Sequence, residues 1–178
     1  MLNAFSFSGG FSLYAARGGA RAVADLDLSS HALESAKRNF ALNKDVAAVA
    51  KCPHELLKAD AFQWLAGNAN RQFDLIVLDP PSLAKREAER DGAIRAYGRL
   101  VSLAVGHLAP DGILVVCSCS AHVTAEEFFA SVRDAVMNSQ RKFVELERTG
   151  HALDHPATFK EAAYLKGIFV RMVGKGRG

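Results

Sequence analysis

Residues 73–81, Phe73-Asp74-Leu75-Ile76-Val77-Leu78-Asp79-Pro80-Pro81, form an apolar run that ends at an acid and two prolines. A second apolar run, Ile113-Leu114-Val115-Val116, ends in Cys117-Ser118-Cys119-Ser120. In an open α/β sheet, the carboxyl ends of the strands meet at one rim, where ligands bind. The two runs therefore predict that the carboxylate of Asp79 and the thiol of Cys119 lie side by side.

Apolar runs alternate with helical patterns along the rest of the chain. In the stretch Ser29 to Asn43, apolar residues recur at Ala32, Leu33, Ala36 and Phe40. This alternation is typical of βαβ units and predicts an α/β fold with a parallel sheet. We expect strands at 2–5, 22–26, 56–57, 73–79, 113–117, 143–146 and 168–172, helices through 15 and at 29–43, 61–65, 95–108 and 124–136, and a loop at 45–54.

Length and composition narrow the class of protein. The chain has 178 residues, enough for one domain with a core, and its net charge of +3 permits an RNA partner without arguing for one. Its uncharged stretches are interrupted well before the roughly 18 residues of a membrane span, and no leader opens it. Three cysteines without a Cys-x-x-C pair favour reduced thiols. We therefore expect a cytoplasmic protein with neither membrane association nor a metal site.

The front of the chain predicts a ligand-binding turn. Residues 2–11, Leu2-Asn3-Ala4-Phe5-Ser6-Phe7-Ser8-Gly9-Gly10-Phe11, read as a strand, a tight turn and the start of a helix. Glycines at such a turn let the backbone approach a ligand, and the N–H groups of the helix then face it. The spacing differs from the G-x-G-x-x-G of dinucleotide enzymes, which weakens a nicotinamide site without excluding it.

Asp27 is a candidate ribose ligand. It ends the second strand, roughly twenty residues beyond the glycine turn, where a carboxylate can accept both hydroxyl hydrogens of a ribose. The alternative is a charge that complements the next helix, with Ser29 as its N-cap. Asp25 is the competing acid on the same strand.

The acid and the thiol at the predicted rim suit one particular reaction. Carbon 5 of a pyrimidine is a poor nucleophile, so its methylation requires a thiolate to add first to carbon 6. A neighbouring acid must then hold or protonate the ring nitrogen as charge develops there. Cys119 and Asp79 could supply this pair. The alternative for Cys119 is a small buried apolar residue, a common environment for free cysteine.

Several motifs carry a resemblance to a known family. The Asp79-Pro80-Pro81 loop resembles the catalytic loop of S-adenosylmethionine-dependent methyltransferases that modify nucleic-acid bases, and the glycine turn resembles the first motif of class I methyltransferases, with Asn3 where an acid is more usual. Further motifs extend the resemblance through nearly the whole chain to the bacterial large-subunit ribosomal RNA cytosine-5 methyltransferases: Ser118-Cys119-Ser120 with Thr124, Leu153-Asp154-His155-Pro156, and Tyr164-Leu165-Lys166-Gly167.

The resemblance implies a fold and a set of site residues. It implies a Rossmann-like fold: a mostly parallel seven-stranded sheet with helices on both faces and an antiparallel last strand. The family's nucleophile carries over onto Cys119 and its acid onto Asp79, whereas Cys117 lies outside the match. Asp60 stands where methyltransferases place an acid for the adenine amino group, with helix capping as the alternative. The expected S-adenosylmethionine contacts are Phe5, Ser6, Ser8, Gly9, Gly10, Asp27, Leu28, Asp60, Ala61 and Asp79.

The same resemblance leaves several points open. Ser82 stands where other RNA cytosine methyltransferases carry a second cysteine, so the base that resolves the adduct is undetermined. Arg95-Ala96-Tyr97 could orient the catalytic loop or meet RNA, or could simply belong to an amphipathic helix. Ribosomal RNA is the expected partner, and a homodimer is left open.

Domain organisation and competing functions complete the expectations. Met1 is followed directly by the first core strand, so we expect a fragment of a longer protein, without the family's upstream RNA-binding domain of the PUA type. The methyltransferase domain should cover residues 1–173 and a flexible tail 174–178. The alternatives to cytosine-5 methylation are guanine-nitrogen methylation, which needs no Cys119, and a cofactor- or RNA-binding module without turnover.

Overall fold

A computed structural model describes residues 1–159 and 162–174 of the chain. The strands are β1 (Leu2–Ala4), β2 (Val23–Asp27), β3 (His54–Lys58), β4 (Phe73–Leu78), β5 (Leu108–Ser118), β6 (Phe143–Thr149) and β7 (Lys166–Met172). The helices are α1 (Gly10–Arg17), α2 (Ser30–Leu42), α3 (Ala47–Lys51), α4 (Ala61–Gly67), α5 (Arg90–Val105) and α6 (Ala125–Asn138), with a 3₁₀ turn at Glu87–Glu89. Within the described residues, no helix is both long and apolar enough to cross a membrane.

The seven strands form one sheet in the order β3-β2-β1-β4-β5-β7-β6. Strands β1 to β5 pair in parallel, and β7 is antiparallel to both β5 and β6. The predicted mostly parallel sheet with an antiparallel last strand is therefore confirmed. The chain runs outward from β1 to β3 and then restarts at β4 on the other side of β1, so the strand order reverses between β1 and β4. Ligands of open α/β sheets bind at such a reversal, outside the carboxyl ends of the strands.

Helices cover both faces of this sheet. Successive residues of a strand point to opposite faces, and the neighbours Val23 and Ala24 on β2 belong to two different buried clusters. On one face, Val23 packs with Ala16 of α1, Phe40 of α2 and Val49 of α3. The larger cluster on the other face includes the buried residues of α4, α5 and α6.

The structure corrects the predicted loop at residues 45–54. That segment contains the short helix α3, and β3 begins at His54. Val49 is its one fully buried side chain, and it packs against the α1 and α2 face. Five residues are too few to establish a helical period in a sequence, which explains why the pattern did not predict this helix.

The boundaries of the longest helix also differ from the prediction. α5 begins at Arg90 and ends at Val105, whereas the sequence predicted a helix from Arg95 to Leu108. Leu108 is instead the first residue of β5, where it pairs with Phe73 of β4. The segment Pro110-Asp111-Gly112 interrupts that pairing, since Asp111 has a φ of 61° and the register shifts between Phe73 and Leu75. Residues 175–178 of the predicted tail lie outside the described part of the chain.

Candidate active site

The carboxyl ends of the central strands bring the predicted site residues to one rim. Ala4 of β1 pairs with Leu26 of β2 and Leu78 of β4, so the residues that follow these strands share one edge of the sheet. Val116 of β5 pairs with Leu78, which brings the cysteine segment to the same edge. A cavity of about 430 Å³ opens there, lined by Phe5, Phe7, Leu26, Asp27, Leu28, Ala59, Asp60, Ala61, Asp79 and Pro81.

The glycine turn between β1 and α1 has a strained backbone. Phe5, Phe7 and Gly9 have φ angles of 60°, 47° and 74°. A Cβ atom on Gly9 would lie 2.6 Å from Asp25 Oδ2 and 2.8 Å from Ala36 Cβ, so only glycine fits this position. Gly10, by contrast, faces open space. The predicted residues Ser6, Ser8, Gly9 and Gly10 form the turn beside the cavity, but they are not part of its lining.

Asp25 is a structural anchor for this turn. Its side chain is fully buried, and Oδ1 accepts hydrogen bonds from Asn3 Nδ2 at 2.8 Å and Ser12 Oγ at 2.6 Å. Its other oxygen lies 2.8 Å from His54 Nε2. These contacts leave Asp25 unavailable to a ligand. They also explain why Asn3 is an amide, because a carboxylate there would face the buried charge of Asp25 instead of donating to it.

Asp27 faces the cavity and is held in place by backbone N–H groups. Its Oδ2 accepts from Phe7 N at 2.9 Å and its Oδ1 from Ser29 N at 2.8 Å. A carboxylate oxygen has more than one lone pair, so both oxygens can still accept hydroxyl hydrogens. The Ser29 hydroxyl accepts from Ala32 N and caps α2, as the alternative interpretation of this segment expected. Capping of α2 and a carboxylate at the cavity are therefore compatible.

Asp60 likewise combines two positions. It is the N-cap of α4, where Oδ1 accepts from Gln63 N at 2.9 Å, and it also lines the cavity. Its neighbour Ala61 is buried and also belongs to the lining. The capping alternative is thus confirmed for Asp60. The cap uses Oδ1 alone, and Asp60 is at the same time a residue of the cavity wall.

Asp79 lies between the cavity and the cysteine segment. Its backbone N–H donates to Ala4 O at 3.4 Å, which joins the loop after β4 to the glycine turn. The side chain lines the cavity, and burial raises the pKa of its carboxyl. On its other side, the charge of Asp79 contributes to a raised pKa at both Cys117 and Cys119.

Hydrogen bonds hold the two residues that flank Cys119. The hydroxyl of the buried Tyr97 donates to Ser118 Oγ at 2.8 Å and lies 3.0 Å from Ser120 Oγ. Ser120 Oγ also accepts from Leu83 N, at 3.0 Å. Within the Arg95-Ala96-Tyr97 segment, Tyr97 is therefore the residue that contacts the cysteine segment, while Arg95 is exposed on α5.

The two cysteines at the rim differ in their electrostatic surroundings. Burial, supported by the charges of Asp79 and Cys119, raises the pKa of Cys117 to about 12. Burial and Asp79 also raise the pKa of Cys119, but the backbone N–H groups of Cys119 and Ser82 and the ammonium of Lys166 oppose that rise. Of the two thiols, Cys119 is therefore the one beside which groups that oppose the rise in pKa are placed.

The structure adds residues to which the sequence assigned no role. Phe7, whose side chain is 71% exposed, and Pro81 line the cavity. Lys166, quoted only as part of a motif, is buried beside the cysteine segment. The position of Phe7 inside the glycine turn was a usable signal. No local pattern indicated that Lys166 is buried, because its surroundings depend on the pairing of β7 with β5.

Comparison with known proteins identifies the family. The family model described as S-adenosylmethionine-dependent methyltransferase matches residues 1–171. The chain is 59% identical over 174 residues to a ribosomal RNA large subunit methyltransferase of Deinococcus radiodurans. The match covers 97% of this chain and 42% of that protein. It is 42% identical over 177 residues to ribosomal RNA large subunit methyltransferase I of Tolumonas auensis, covering 97% of this chain and 44% of that protein. The chain thus spans less than half the length of these relatives.

Solved structures agree on the fold. The crystal structure of SMU.776 complexed with SAH superposes with a TM-score of 0.77 at 24% identity, covering 96% of this chain and 44% of that one. A methyltransferase homolog from Pyrococcus horikoshii has a TM-score of 0.68 at 18% identity and covers 96% of this chain and 61% of its own. At these identities the likeness shows the fold alone. The match of the family model to residues 1–171 shows that the chain belongs to the S-adenosylmethionine-dependent methyltransferase family.

Proposed function

We propose that this chain is the catalytic domain of an enzyme that transfers a methyl group from S-adenosylmethionine to carbon 5 of a cytosine in large-subunit ribosomal RNA. The observation that carries the proposal is the position of Cys119, which lies between two hydrogen-bonded serines, one of them bonded to the loop after Asp79. The names of the relatives supply the class of substrate, ribosomal RNA of the large subunit.

The cavity residues suit the cofactor. Asp27 would accept the ribose hydroxyls, and Asp60 would accept the adenine amino group through the oxygen that does not cap α4. Phe5, Leu28 and Ala61 give apolar walls for the adenine ring. Ser6 lies in the turn beside these residues, and its buried hydroxyl has no hydrogen-bond partner among the described residues.

The remaining turn residues would act through their backbone. Gly9 lets the chain pass close to Asp25 and Ala36, and Gly10 exposes the first N–H groups of α1. Ser8 is fixed by the bond from Asn39 Nδ2 to its carbonyl, at 2.9 Å. When bound here, the cofactor would supply an electrophilic methyl group on a sulfonium.

Cys119 and Asp79 would make the cytosine reactive. The Cys119 thiolate adds to carbon 6 of the base, and its electron pair forms the carbon–sulfur bond while the ring π electrons move toward the ring nitrogen. Asp79 donates a proton or a hydrogen bond to that nitrogen, a task favoured by the raised pKa of its carboxyl. Carbon 5 would then take the methyl group from the sulfonium, whose sulfur–methyl bond breaks so that S-adenosylhomocysteine leaves. Water or a base would accept the proton from carbon 5, and the electron pair of that C–H bond would restore the C5–C6 double bond as the carbon–sulfur bond to Cys119 breaks and the thiolate re-forms.

The surroundings of the loop favour this reaction over amino-group methylation. Amino-methylating enzymes stack the extruded base on an aromatic residue after the prolines. Here Ser82 occupies that position, and its hydroxyl lies 3.3 Å from Ser120 Oγ and donates to Ala84 O. The residue after the prolines therefore contacts the cysteine segment and offers no aromatic ring to a base.

The test is methyl transfer to deproteinised ribosomal RNA with isotopically labelled S-adenosylmethionine, followed by nucleoside analysis. We expect labelled 5-methylcytidine from the wild-type chain and from Cys117→Ala, and none from Cys119→Ala. Binding of S-adenosylhomocysteine by calorimetry shows that each variant has an intact cofactor site. Label in a methylated guanosine, or undiminished 5-methylcytidine from Cys119→Ala, would refute the proposal.

A further inference from the structure

Lys166 is a buried lysine at the edge of the candidate site. It is the first residue of β7 and pairs with Ser118 of β5, so its side chain enters the segment that carries Cys119. Only 5% of the residue is exposed. Its Nζ donates to Ser120 O at 2.8 Å and to Tyr164 O at 3.1 Å. A lysine is seldom this buried unless a negative charge accompanies it.

The hydrogen bonds of Lys166 do not supply this negative charge, because both acceptors are neutral backbone carbonyls. An ammonium has three donors, and the two backbone carbonyls use two of them. Among residues 1–159 and 162–174, no carboxylate forms an ion pair with Lys166. Burial accordingly lowers the pKa of the Lys166 ammonium, and the neighbouring thiol of Cys119 is the group that raises it.

The influence is mutual. The ammonium of Lys166 lowers the pKa of Cys119, against the effects of burial and of Asp79. Four other titratable groups lie near this point: Cys119, Asp79 after β4, Cys117 on β5 and Tyr97 on α5. The hydroxyl of Tyr97 bonds both serines that flank Cys119. All of these neighbours carry no charge or a negative one. Lys166 is therefore the cation of the group.

We propose that Lys166 is a positioning residue that supplies the countercharge for the Cys119 thiolate and fixes the thiol through its bond to the Ser120 carbonyl. The inference rests on the proposed function, in which Cys119 is the nucleophile, and adds how that nucleophile is ionised. The thiol proton leaves Sγ for solvent, and the ammonium stabilises the electron pair that stays behind. Without Lys166, the backbone N–H groups of Cys119 and Ser82 would be left to oppose the effects of burial and of the Asp79 charge.

Alkylation kinetics of the single remaining thiol test this proposal. A Cys52→Ser, Cys117→Ser background leaves Cys119 as the one cysteine of the chain. The rate of reaction with iodoacetamide, measured from pH 6 to 11, gives the midpoint for thiolate formation. We expect Lys166→Met and Lys166→Gln to raise that midpoint by about one pH unit or more, as removal of a close opposite charge does. Lys166→Arg should restore most of the shift, and the exposed Lys142→Met should leave the midpoint unchanged.

A role confined to packing would predict a different pattern. It would reduce the thermal stability of Lys166→Met while leaving the alkylation midpoint at its wild-type value, and that result would overturn the proposal. If the substituted lysine prevents folding, the reciprocal measurement replaces it: the NMR titration of the Lys166 ε-methylene in the otherwise wild-type chain and in Cys119→Ser. We expect the lysine midpoint to fall in Cys119→Ser, and an unchanged midpoint would equally refute the proposal.

These measurements separate this inference from the proposed function. Alkylation and titration need neither RNA nor S-adenosylmethionine, so they report on the ion pair even if the chain methylates another atom. Conversely, a chain that makes 5-methylcytidine through Cys119 but shows no shift in Lys166→Gln would retain the proposed function and lose the role of Lys166.

Discussion

The backbone N–H of Leu83 donates a hydrogen bond of 3.0 Å to the hydroxyl of Ser120. This one contact ties the loop after Asp79 to the segment that carries Cys119, although the two residues are 37 positions apart in the chain. Ser120 also meets the hydroxyls of Tyr97 and Ser82, and its carbonyl accepts from Lys166. The segments that carry the acid and the thiol are thus held together by hydrogen bonds, and we expect substitutions at these bonds to affect chemistry more than cofactor binding.

Ser120→Ala tests these bonds directly. The substitution removes the acceptor for Leu83 N and the partner of Tyr97, so the two loops lose their link. We expect a loss of unfolding free energy of about 1–3 kcal/mol and a methyl-transfer rate at least about tenfold lower, with little change in affinity for S-adenosylhomocysteine. Ser102→Ala is the matched control, since its exposed hydroxyl bonds only Gly98 O within α5. Equal rates for both variants would contradict the role of Ser120.

Tyr97→Phe removes one hydroxyl and keeps the buried ring. The ring should remain packed edge-on against Phe128, with centroids 5.1 Å apart. Ser118 and Ser120 would lose a shared partner, which costs about 1 kcal/mol of stability by denaturant unfolding. We also expect slower alkylation or adduct formation at Cys119, because its two flanking residues become less ordered. An unaltered rate would mean that the serines hold the thiol without Tyr97.

Gly9→Ala should disable the glycine turn. Its positive φ and the predicted overlap with Asp25 Oδ2 and Ala36 Cβ both oppose a side chain. We expect a loss of about 1–3 kcal/mol in unfolding free energy, from backbone strain and overpacking, and weaker binding of S-adenosylhomocysteine. Gly10→Ala, which has nothing within 4 Å of its Cβ, should keep the wild-type stability. The comparison fails if the two variants unfold at the same denaturant concentration.

Asp27→Asn tests the proposed ribose contact. The amide nitrogen cannot accept from Phe7 N or Ser29 N, so the side chain would lose part of its orientation as well as its charge. We expect the dissociation constant for S-adenosylhomocysteine to rise about tenfold or more, measured by calorimetry. Asp45→Asn, at an exposed position outside the cavity, is the control. Unchanged affinity in Asp27→Asn would remove Asp27 from the cofactor site.

The raised pKa of Asp79 predicts how stability depends on pH. Burial disfavours the charged carboxylate, so the folded chain holds this proton more tightly than the unfolded chain does. The contribution of Asp79 to stability is therefore complete at low pH and declines as the pH rises through the folded pKa. We expect Asp79→Asn to unfold at a higher denaturant concentration than wild type at pH 7, although it should be inactive.

That advantage should disappear on acidification. Below about pH 3, where an aspartate is mostly protonated even in the unfolded chain, the Asp79→Asn and wild-type curves should converge. Asp74→Asn, exposed on the same strand, should show no comparable gain at pH 7. A variant that is less stable than wild type at every pH would show that the Asp79 carboxylate is stabilised in the folded state, against our reasoning.

The sequence predicted those parts of the site that depend on strand ends. Apolar runs that finish at Asp27, Asp79 and Cys119 mark carboxyl ends of parallel strands, and parallel pairing brings such ends together whatever the detailed packing. The sequence offered both Asp25 and Asp27 as acids that could bind the ribose, because both belong to the same strand. Their difference arises from burial: Asp25 lies between Asn3 and Ser12 within the core, a relation between β1, β2 and α1 that no local pattern contains.

Other features depend on contacts between distant segments and could not be predicted in this way. Lys166 precedes an apolar run and reads as a solvated strand end until β7 inserts beside β5 and places it opposite Ser118. The bridging role of Tyr97 likewise arises only when α5 packs under the end of β5. The short helix α3 was not predicted because five residues are too few to show a helical period in the sequence.

Covalent trapping is the most direct test of the central claim that Cys119 is the nucleophile of a cytosine-5 methyltransferase. Ribosomal RNA that contains 5-fluorocytidine cannot lose a proton from carbon 5, so the adduct should persist after methyl transfer. We predict that, with S-adenosylmethionine present, fragmentation mass spectrometry of the digested complex locates a methylated fluorocytidine on Cys119. An adduct on Cys117, or no adduct from a sample that binds S-adenosylhomocysteine and methylates unmodified RNA, would contradict this account.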